Sequence, residues 1–320
     1  MLIEFGEPVP VLQGGSFMDY MESALIDGYY EPPVSLRGLN QSMRANAMHS
    51  SAIFAKRNIV SAYIDLDKRL SREMFNRFLL EDGVFGNGYL VAIKNRLGQI
   101  VKFKHTPAMY IRRREKEDCY SYRTYSQTID YKEGSVFHSM EYDPSQEIYG
   151  IPQYFGALSS VWLNEDATLF RRKYYKNGAH SGFLLYMNNP NLTEDQEDEI
   201  KTKLNSAKGL GNFKNLFING KGKDGEKPEL IPVGQINAKD EFSNIKNVST
   251  GDILAAHRIP LDLMSIVREG FTASSDLNKV DRTFYKNEVI PVFQRLSAIN
   301  DWAGFEVIRL KKYEELDPVE

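Results

Sequence analysis

Residues 163–181 read L-N-E-D-A-T-L-F-R-R-K-Y-Y-K-N-G-A-H-S. Glu165 and Asp166 come early, and Arg171, Arg172, Lys173 and Lys176 come late. That order suits a helix macrodipole, positive at its first turn and negative at its last. Asn177-Gly178 then offers the left-handed cap that stops a helix. Leu158, Val161, Trp162, Leu169 and Phe170 recur near the 3.6-residue period and supply an apolar stripe. The stretch therefore predicts one long helix, opened by Pro152, with a strongly basic end.

On the N-terminal side, a short helix is expected around residues 16–26. Residues 36–62 read as one helix with Leu39, Met43, Ala47 and Phe54 on a shared face. A second helix runs from an N-cap at Ser71 to Asp82, with Gly83 as its stop. The pattern then changes to strands. Residues 89–94 and 100–104 predict a hairpin about residues 95–98, with further strands at 110–114, 119–125 and 136–142.

On the C-terminal side, a strand is expected at 183–187. Thr193-Glu194-Asp195-Gln196 fits a capping box, starting a helix with Ile200, Leu204 and Ala207 on one face. Strands at 213–218 and 229–233 flank a glycine- and lysine-rich loop. Helical patterning returns at 239–248, at 252–257 and over 274–302, where Pro291 should kink the last helix or split it in two. A strand at 305–310 precedes a polar tail. Helices, a β block, a mixed excursion and more helices make an α+β chain with more than one lobe.

The 320 residues, 42% hydrophobic and 26% charged, suffice for a sizeable core. The apolar runs are a few residues long, far below a membrane span, and no basic-apolar-small leader begins the chain. Neither membrane contact nor export is expected. Cys119 is alone, which excludes a disulfide framework or a cysteine zinc site and leaves a buried or strand-edge thiol. The net charge of −3 argues against a protein that grips DNA, since gripping needs a basic excess. It suits a channel through which DNA slides, and equally an ordinary soluble protein.

Motifs for chemistry are missing. Gly86-Asn87-Gly88 and Gly209-Leu210-Gly211 do not extend to the dinucleotide fingerprint. In the loop from Gly220, Glu226 stands where a phosphate loop needs lysine. His49, His105, His138, His180 and His257 show no i, i+4 pair. His257, at a helix end, is expected to cap it, its protonated form favoured by the dipole. There is no Gly-x-Ser-x-Gly elbow, and the acids of 194–199 read as a solvated helix face. No catalytic residue, metal ligand or cofactor is expected. Two basic clusters remain. Arg112-Arg113-Arg114 can pair locally with Glu115, Glu117 and Asp118. Arg171, Arg172 and Lys173 alternate into Tyr174 and Tyr175, a mixture found in nucleic-acid grooves and equally able to form salt bridges to another subunit.

Several blocks carry a resemblance: Tyr29-Tyr30-Glu31-Pro32-Pro33, Val84-Phe85-Gly86-Asn87-Gly88-Tyr89, Tyr149-Gly150-Ile151-Pro152 and Lys208-Gly209-Leu210-Gly211-Asn212-Phe213. Lys239-Asp240-Glu241-Phe242, Ala255-Ala256-His257-Arg258-Ile259-Pro260 and Asn287-Glu288-Val289-Ile290-Pro291 continue it. Together with residues 163–181, and in this order, they resemble the portal proteins of tailed bacteriophages, specifically the PBSX-type family. One departure is the stretch 265–276, S-I-V-R-E-G-F-T-A-S-S-D, where such proteins usually carry a Pro/Asn/Gly-rich loop.

The resemblance implies a phage-portal fold: a mixed α/β wing, stem helices, a small α/β clip and a long kinked helix. By that likeness residues 1–150 form the wing lobe and 151–258 the stem and clip. Residues 259–304 form the tunnel loop and long wing helix, and 305–320 the final strand and tail. It implies a homododecameric ring at the capsid vertex of a virion, assembled in the bacterial host cytoplasm. Its partners would be the terminase large subunit, head-completion or tail adaptor proteins and capsid or scaffold protein, with double-stranded DNA passing non-specifically. Arg171, Arg172 and Lys173 would contact a neighbouring subunit. The DNA-channel loop would hold Arg268, Glu269, Gly270, Phe271, Thr272 and Ser274, and no chemistry would be done. The alternative from the residues is a cytoplasmic nucleic-acid-binding protein using Arg171, Arg172, Lys173, Tyr174 and Tyr175.

Overall fold

Short polar residues set the boundaries of the first helices. The computed structural model describes residues 23–176, 183–187, 193–206, 216–219, 229–232, 238–264 and 276–313. Its contacts divide the chain into two units, one made of residues 1–162 and 250–320 and the other of Leu163–Ser249.

In the first unit, β1 (Leu25–Ile26) and β2 (Tyr29–Tyr30) form a small hairpin. Asp27 and Gly28 both have positive φ, the requirement of a tight primed turn. The helix expected over 16–26 therefore does not reach residue 26, and its earlier part lies outside the described residues. The helix expected over 36–62 is two: α1 (Leu36–Ala45) and α2 (Ala47–Ala62). Asn46 is extended, and its side chain accepts from the backbone N–H of Met48 and His49. That cap breaks the register, so Leu39 and Met43 are buried while Ala47 is exposed.

Strand β3 (Ile64–Leu66) follows, then α3 (Arg72–Phe85) with Ser71 as its N-cap. The helix runs through Gly83 and stops at Gly86, which has φ 67°. Strands β4 (Asn87–Lys94) and β5 (Ile100–His105) form the expected hairpin. Next come β6 (Ile111–Arg113), β7 (Tyr120–Arg123), β8 (Thr128–Asp130) and β9 (Val136–Met140). They complete two antiparallel three-stranded sheets, ordered β5-β4-β9 and β6-β7-β8. Strand β8 is exposed along its length and so lacked an apolar signal. Cys119 is buried and free.

After Pro152 one 3₁₀ turn, Gln153–Ala157, precedes α4 (Leu158–Lys176). Asn177-Gly178 lies outside the described residues. In the second unit β10 (Phe183–Met187), α5 (Glu194–Ser206), β11 (Leu216–Asn219) and β12 (Glu229–Pro232) make a small α/β fold. Its sheet runs β11-β10-β12, with β10 parallel to β11 and antiparallel to β12. The capping box is formed: Gln196 N–H donates to Thr193 Oγ1 and Thr193 N–H to Gln196 Oε1. The glycine- and lysine-rich loop beyond Asn219 is outside the described residues.

The chain returns along α6 (Ala238–His257), one helix where two had been expected, because Gly251 sits inside it. After a 3₁₀ turn, Leu261–Met264, come α7 (Leu277–Phe284), a π-helical turn over Tyr285–Val289, α8 (Ile290–Leu296) and α9 (Ala298–Ala303). Strand β13 (Ile308–Leu310) pairs with β3. Two apolar clusters hold the first unit. One gathers Ile64, Phe75, Phe78, Leu90, Phe103, Leu254, Val289 and Ile308. The other gathers Leu39, Ile53, Tyr89, Ile111, Tyr154 and Leu158.

Candidate functional site

Four of the blocks quoted above, far apart in sequence, meet in the first unit. Gly86, ending α3, and Gly150 lie backbone to backbone. A Cβ on Gly86 would fall 2.6 Å from the Ile151 carbonyl carbon, and one on Gly150 would run into Gly86 O and Glu141 O. The close approach lets Asn87 clasp the second segment. Its Nδ2 donates to Gly150 O at 2.8 Å, and its Oδ1 accepts from Gly150 N–H at 2.8 Å. His138 Nε2 donates to the same Oδ1 at 2.9 Å. The Gly-Asn-Gly block is therefore a filled backbone clasp, with no open cradle for a phosphate.

The clasp fixes Pro152 and the start of α4, and Tyr154 continues it by donating to Val84 O. The Tyr154 ring then packs against His49 and His257, with centroids 4.6 and 5.1 Å away. His49 Nδ1 and His257 Nε2 share a hydrogen bond of 2.8 Å. Burial pulls His49 down to about 4 and, with His49 and Lys56 nearby, His257 to about 3. His257 is thus a neutral core residue, not the protonated cap expected from its place at a helix end.

The real cap of α6 is backbone. Arg258 N–H bonds Ala255 O, and Ile259 N–H bonds Leu254 O. Those two bonds and the left-handed Arg258, φ 54°, make a Schellman motif. Leu254 and Ile259 share one apolar cluster, and Pro260 forbids continuation. Across the junction Lys56 Nζ donates to Glu288 Oε2 at 2.8 Å and to His257 O at 3.4 Å. Arg258 reaches the other oxygen of Glu288 at 3.8 Å. Glu288 occupies the π turn beside Pro291, which has no N–H to offer residue 287. The expected kink therefore takes the form of a widened turn that carries a buried carboxylate.

Beside this lies a cleft of about 70 Å³ whose lining includes Lys56, Leu79, Asp82, Glu141, Tyr154 and Arg295. Arg295 forks onto Asp82 at 2.7 and 2.8 Å and touches Glu141 at 3.1 Å. Ser139 Oγ donates to Asp82 Oδ1. Burial pushes the Asp82 carboxyl up, but Arg295 and Ser139 outweigh it and hold the group below the usual range. A carboxylate engaged on both oxygens is unsuited to proton transfer. No group of three His, Cys, Asp or Glu among the described residues is placed to hold a metal ion. No described helix is long and apolar enough to cross a membrane.

The residues 66–314 match the family described as "Phage portal protein". The chain is 42% identical over 310 residues to the probable portal protein of Escherichia phage P2, covering 97% of this chain and 90% of that one. The chain belongs to the phage portal protein family. Two solved structures share the portal chain's fold. A chain from the neck of a native GTA particle, computed with C12 symmetry, gives TM-score 0.64 at 17% identity, over 88% of this chain and 85% of that one. An HK97 family phage portal protein from Corynebacterium diphtheriae gives 0.61 at 11% identity, over 88% and 98%.

Within the portal chain, Arg171 and Arg172 lie exposed on the last turns of α4 and pair with no described residue. Lys173 is in the same helix, and its side chain is outside the described residues. So are Arg268, Glu269, Gly270, Phe271, Thr272 and Ser274; the structure describes only the two ends of that loop, Met264 and Asp276. Of the Arg112-Arg113-Arg114 cluster, Arg113 finds Glu117, while Arg112 pairs with Glu31 and Arg114 with Asp130. Lys56, Asp82, Glu288 and Arg295 escaped the sequence reading because their partners are up to 232 residues away. Glu288, Gly150 and Arg258 did sit inside quoted blocks.

Proposed function

We propose that this portal subunit assembles as a closed homododecameric ring at the capsid vertex, through which double-stranded DNA enters and leaves. The observation that carries this reading is the 42% identity to the phage P2 probable portal protein, which runs over 97% of the chain. The twelve-fold neck of the GTA particle supports the ring number. Residues 1–150 serve as wing and 151–258 as stem and clip, 259–304 as tunnel loop and long wing helix, and 305–320 as closing strand and tail. The separate α/β unit at Leu163–Ser249 supports the clip, which docks the terminase large subunit and the head-completion or tail adaptor. Capsid or scaffold protein contacts the wing during assembly in the host cytoplasm. The subunit does no chemistry. Family membership displaces the alternative of a cytoplasmic nucleic-acid binder.

Negative-stain imaging and light scattering of the purified chain test the reading. Closed rings with weak, sequence-independent DNA affinity are expected. A stable monomer at micromolar concentration across several salt conditions would overturn it. Each subunit should use two different patches and bury well above the roughly 1,000 Å² of a specific interface.

A further inference from the structure

From residue 83 to residue 114 the chain has seven Lys or Arg and not one Asp or Glu, although its net charge is −3. Arg112, Arg113 and Arg114 are neutralised by ion pairs. Lys94, Arg96, Lys102 and Lys104, all on the β4–β5 hairpin, are exposed and pair with no described residue. Between them Ile93, Leu97 and Val101 are exposed at 41%, 83% and 49%. Lys102 and Lys104 guard the edge strand β5 against unwanted pairing, but that does not account for the exposed Val101 beside them, nor for Ile93 on the central strand β4 and Leu97 in the turn.

Val101 and Lys94 also line an open groove of about 470 Å³, with Arg69, Ile100, Trp302 and Phe305. Asp301 and Glu306 are near in sequence yet absent from its lining. Phe305 is already covered by the Arg69 guanidinium, 3.5 Å from its centroid, and Asp67 holds that guanidinium in place. Trp302 packs against Phe103 and Phe137. What the groove leaves open is the aliphatic Ile100, Val101 and Ala303 beside the polar Gln99 and the cationic Lys94, with Leu97 in the adjoining turn.

We propose that the β4–β5 hairpin and its groove are a docking surface for an acidic segment of another protein, one that carries aliphatic side chains between its carboxylates. Charge complementarity names the acidic partner. The exposed Val101 and half-buried Ile100 of the groove, with Leu97 in the adjoining turn, name a protein, because apolar contact adds nothing to phosphate binding but is the core of a protein interface. The used aromatic faces argue against stacked bases, which need open rings.

The test uses the full chain and a fluorescein-labelled nine-residue peptide of alternating glutamate and leucine, followed by anisotropy. A lysine-for-glutamate peptide and a duplex DNA oligonucleotide serve as competitors. Binding of the acidic peptide is expected, weakened about tenfold by high salt. The double variant Lys94→Glu/Arg96→Glu should weaken it by a similar factor, and so should Val101→Asp alone. All three positions are exposed, so the variants should melt with wild-type cooperativity. Equal binding by the variants, or by the lysine peptide, overturns the proposal. So does DNA binding that these variants abolish in the absence of peptide binding. A changed ring size in Lys94→Glu/Arg96→Glu would assign the surface to a second copy of the chain and overturn it as well.

Discussion

Arg258 holds a left-handed backbone at the end of α6, where a side chain costs about 1–2 kcal/mol that glycine avoids. Its side chain is 60% exposed and sits 3.8 Å from Glu288, a distance and setting that give little in return. Arg258→Gly is expected to raise stability by about 0.5–1 kcal/mol, and Arg258→Val to lower it, as read by urea midpoints. Equal midpoints would remove the strain argument. The histidines set a second expectation at this scale. An unfolded imidazole charges below about 6.5, whereas His49 charges near 4 and His257 and His138 near 3. The unfolded chain therefore binds more protons between about 6.5 and 4, and stability should fall as pH drops through that window. Double replacement His49→Gln/His257→Gln should flatten the slope, measured by urea unfolding at several pH values. An unchanged slope would exclude the pair. Composition and position showed His257 at a helix end, but its neutral state comes first from burial in the folded core, and then from His49, 208 residues away.

Among the elements, those with a local signal were legible. Ser71, the Thr193 capping box and the β4–β5 hairpin stand as their residues predicted, because caps and alternation act within a few positions. Gly83 was mistaken for the stop of α3 because either glycine could end it; the choice fell to Gly86, which packs on Ile151. The last helices are held from outside by Arg295, which ties α8 to Asp82 of α3 and to Glu141. Arg295→Met should cost about 3–5 kcal/mol, since it strands a buried carboxylate. Adding Asp82→Asn should recover part of that loss. Chemical denaturation of the two variants checks the pair, and no recovery would show that Arg295 acts through packing alone.

For the whole molecule, α+β organisation and the portal likeness were both readable, and four of the blocks that carry the likeness touch in the first unit. Gly86, Asn87 and Gly150 form the clasp, and Arg258 and Glu288 the junction. The two-unit division was only half readable: the expected break between 239–248 and 252–257 falls at the Ser249 boundary, whereas α4 crosses the other boundary, at Leu163, as one uninterrupted helix. The proposed subunit contact predicts that Arg171→Glu/Arg172→Glu/Lys173→Glu breaks or shrinks the ring in negative stain. An intact ring that fails only in DNA passage would assign the cluster to a nucleic-acid groove. The proposed channel loop predicts that Glu269→Arg/Ser274→Arg slows or aborts packaging by adding cationic friction around the ring, while assembly stays normal. Wild-type yields of full-length genome would remove the loop from the channel.

The larger apolar cluster draws on side chains from Ala52 to Ile308, and β3 finds its strand partner only at Ile308–Leu310. The middle unit, by contrast, is one unbroken stretch of chain. During synthesis the order of completion is therefore inverted. The side chains from Ala52 onward must wait for Ile308 before their core can close, while Leu163–Ser249 has all its parts in hand earlier. A nascent chain cannot present a finished first unit to another nascent chain before Ile308 has been made, so any assembly through that unit waits for this residue.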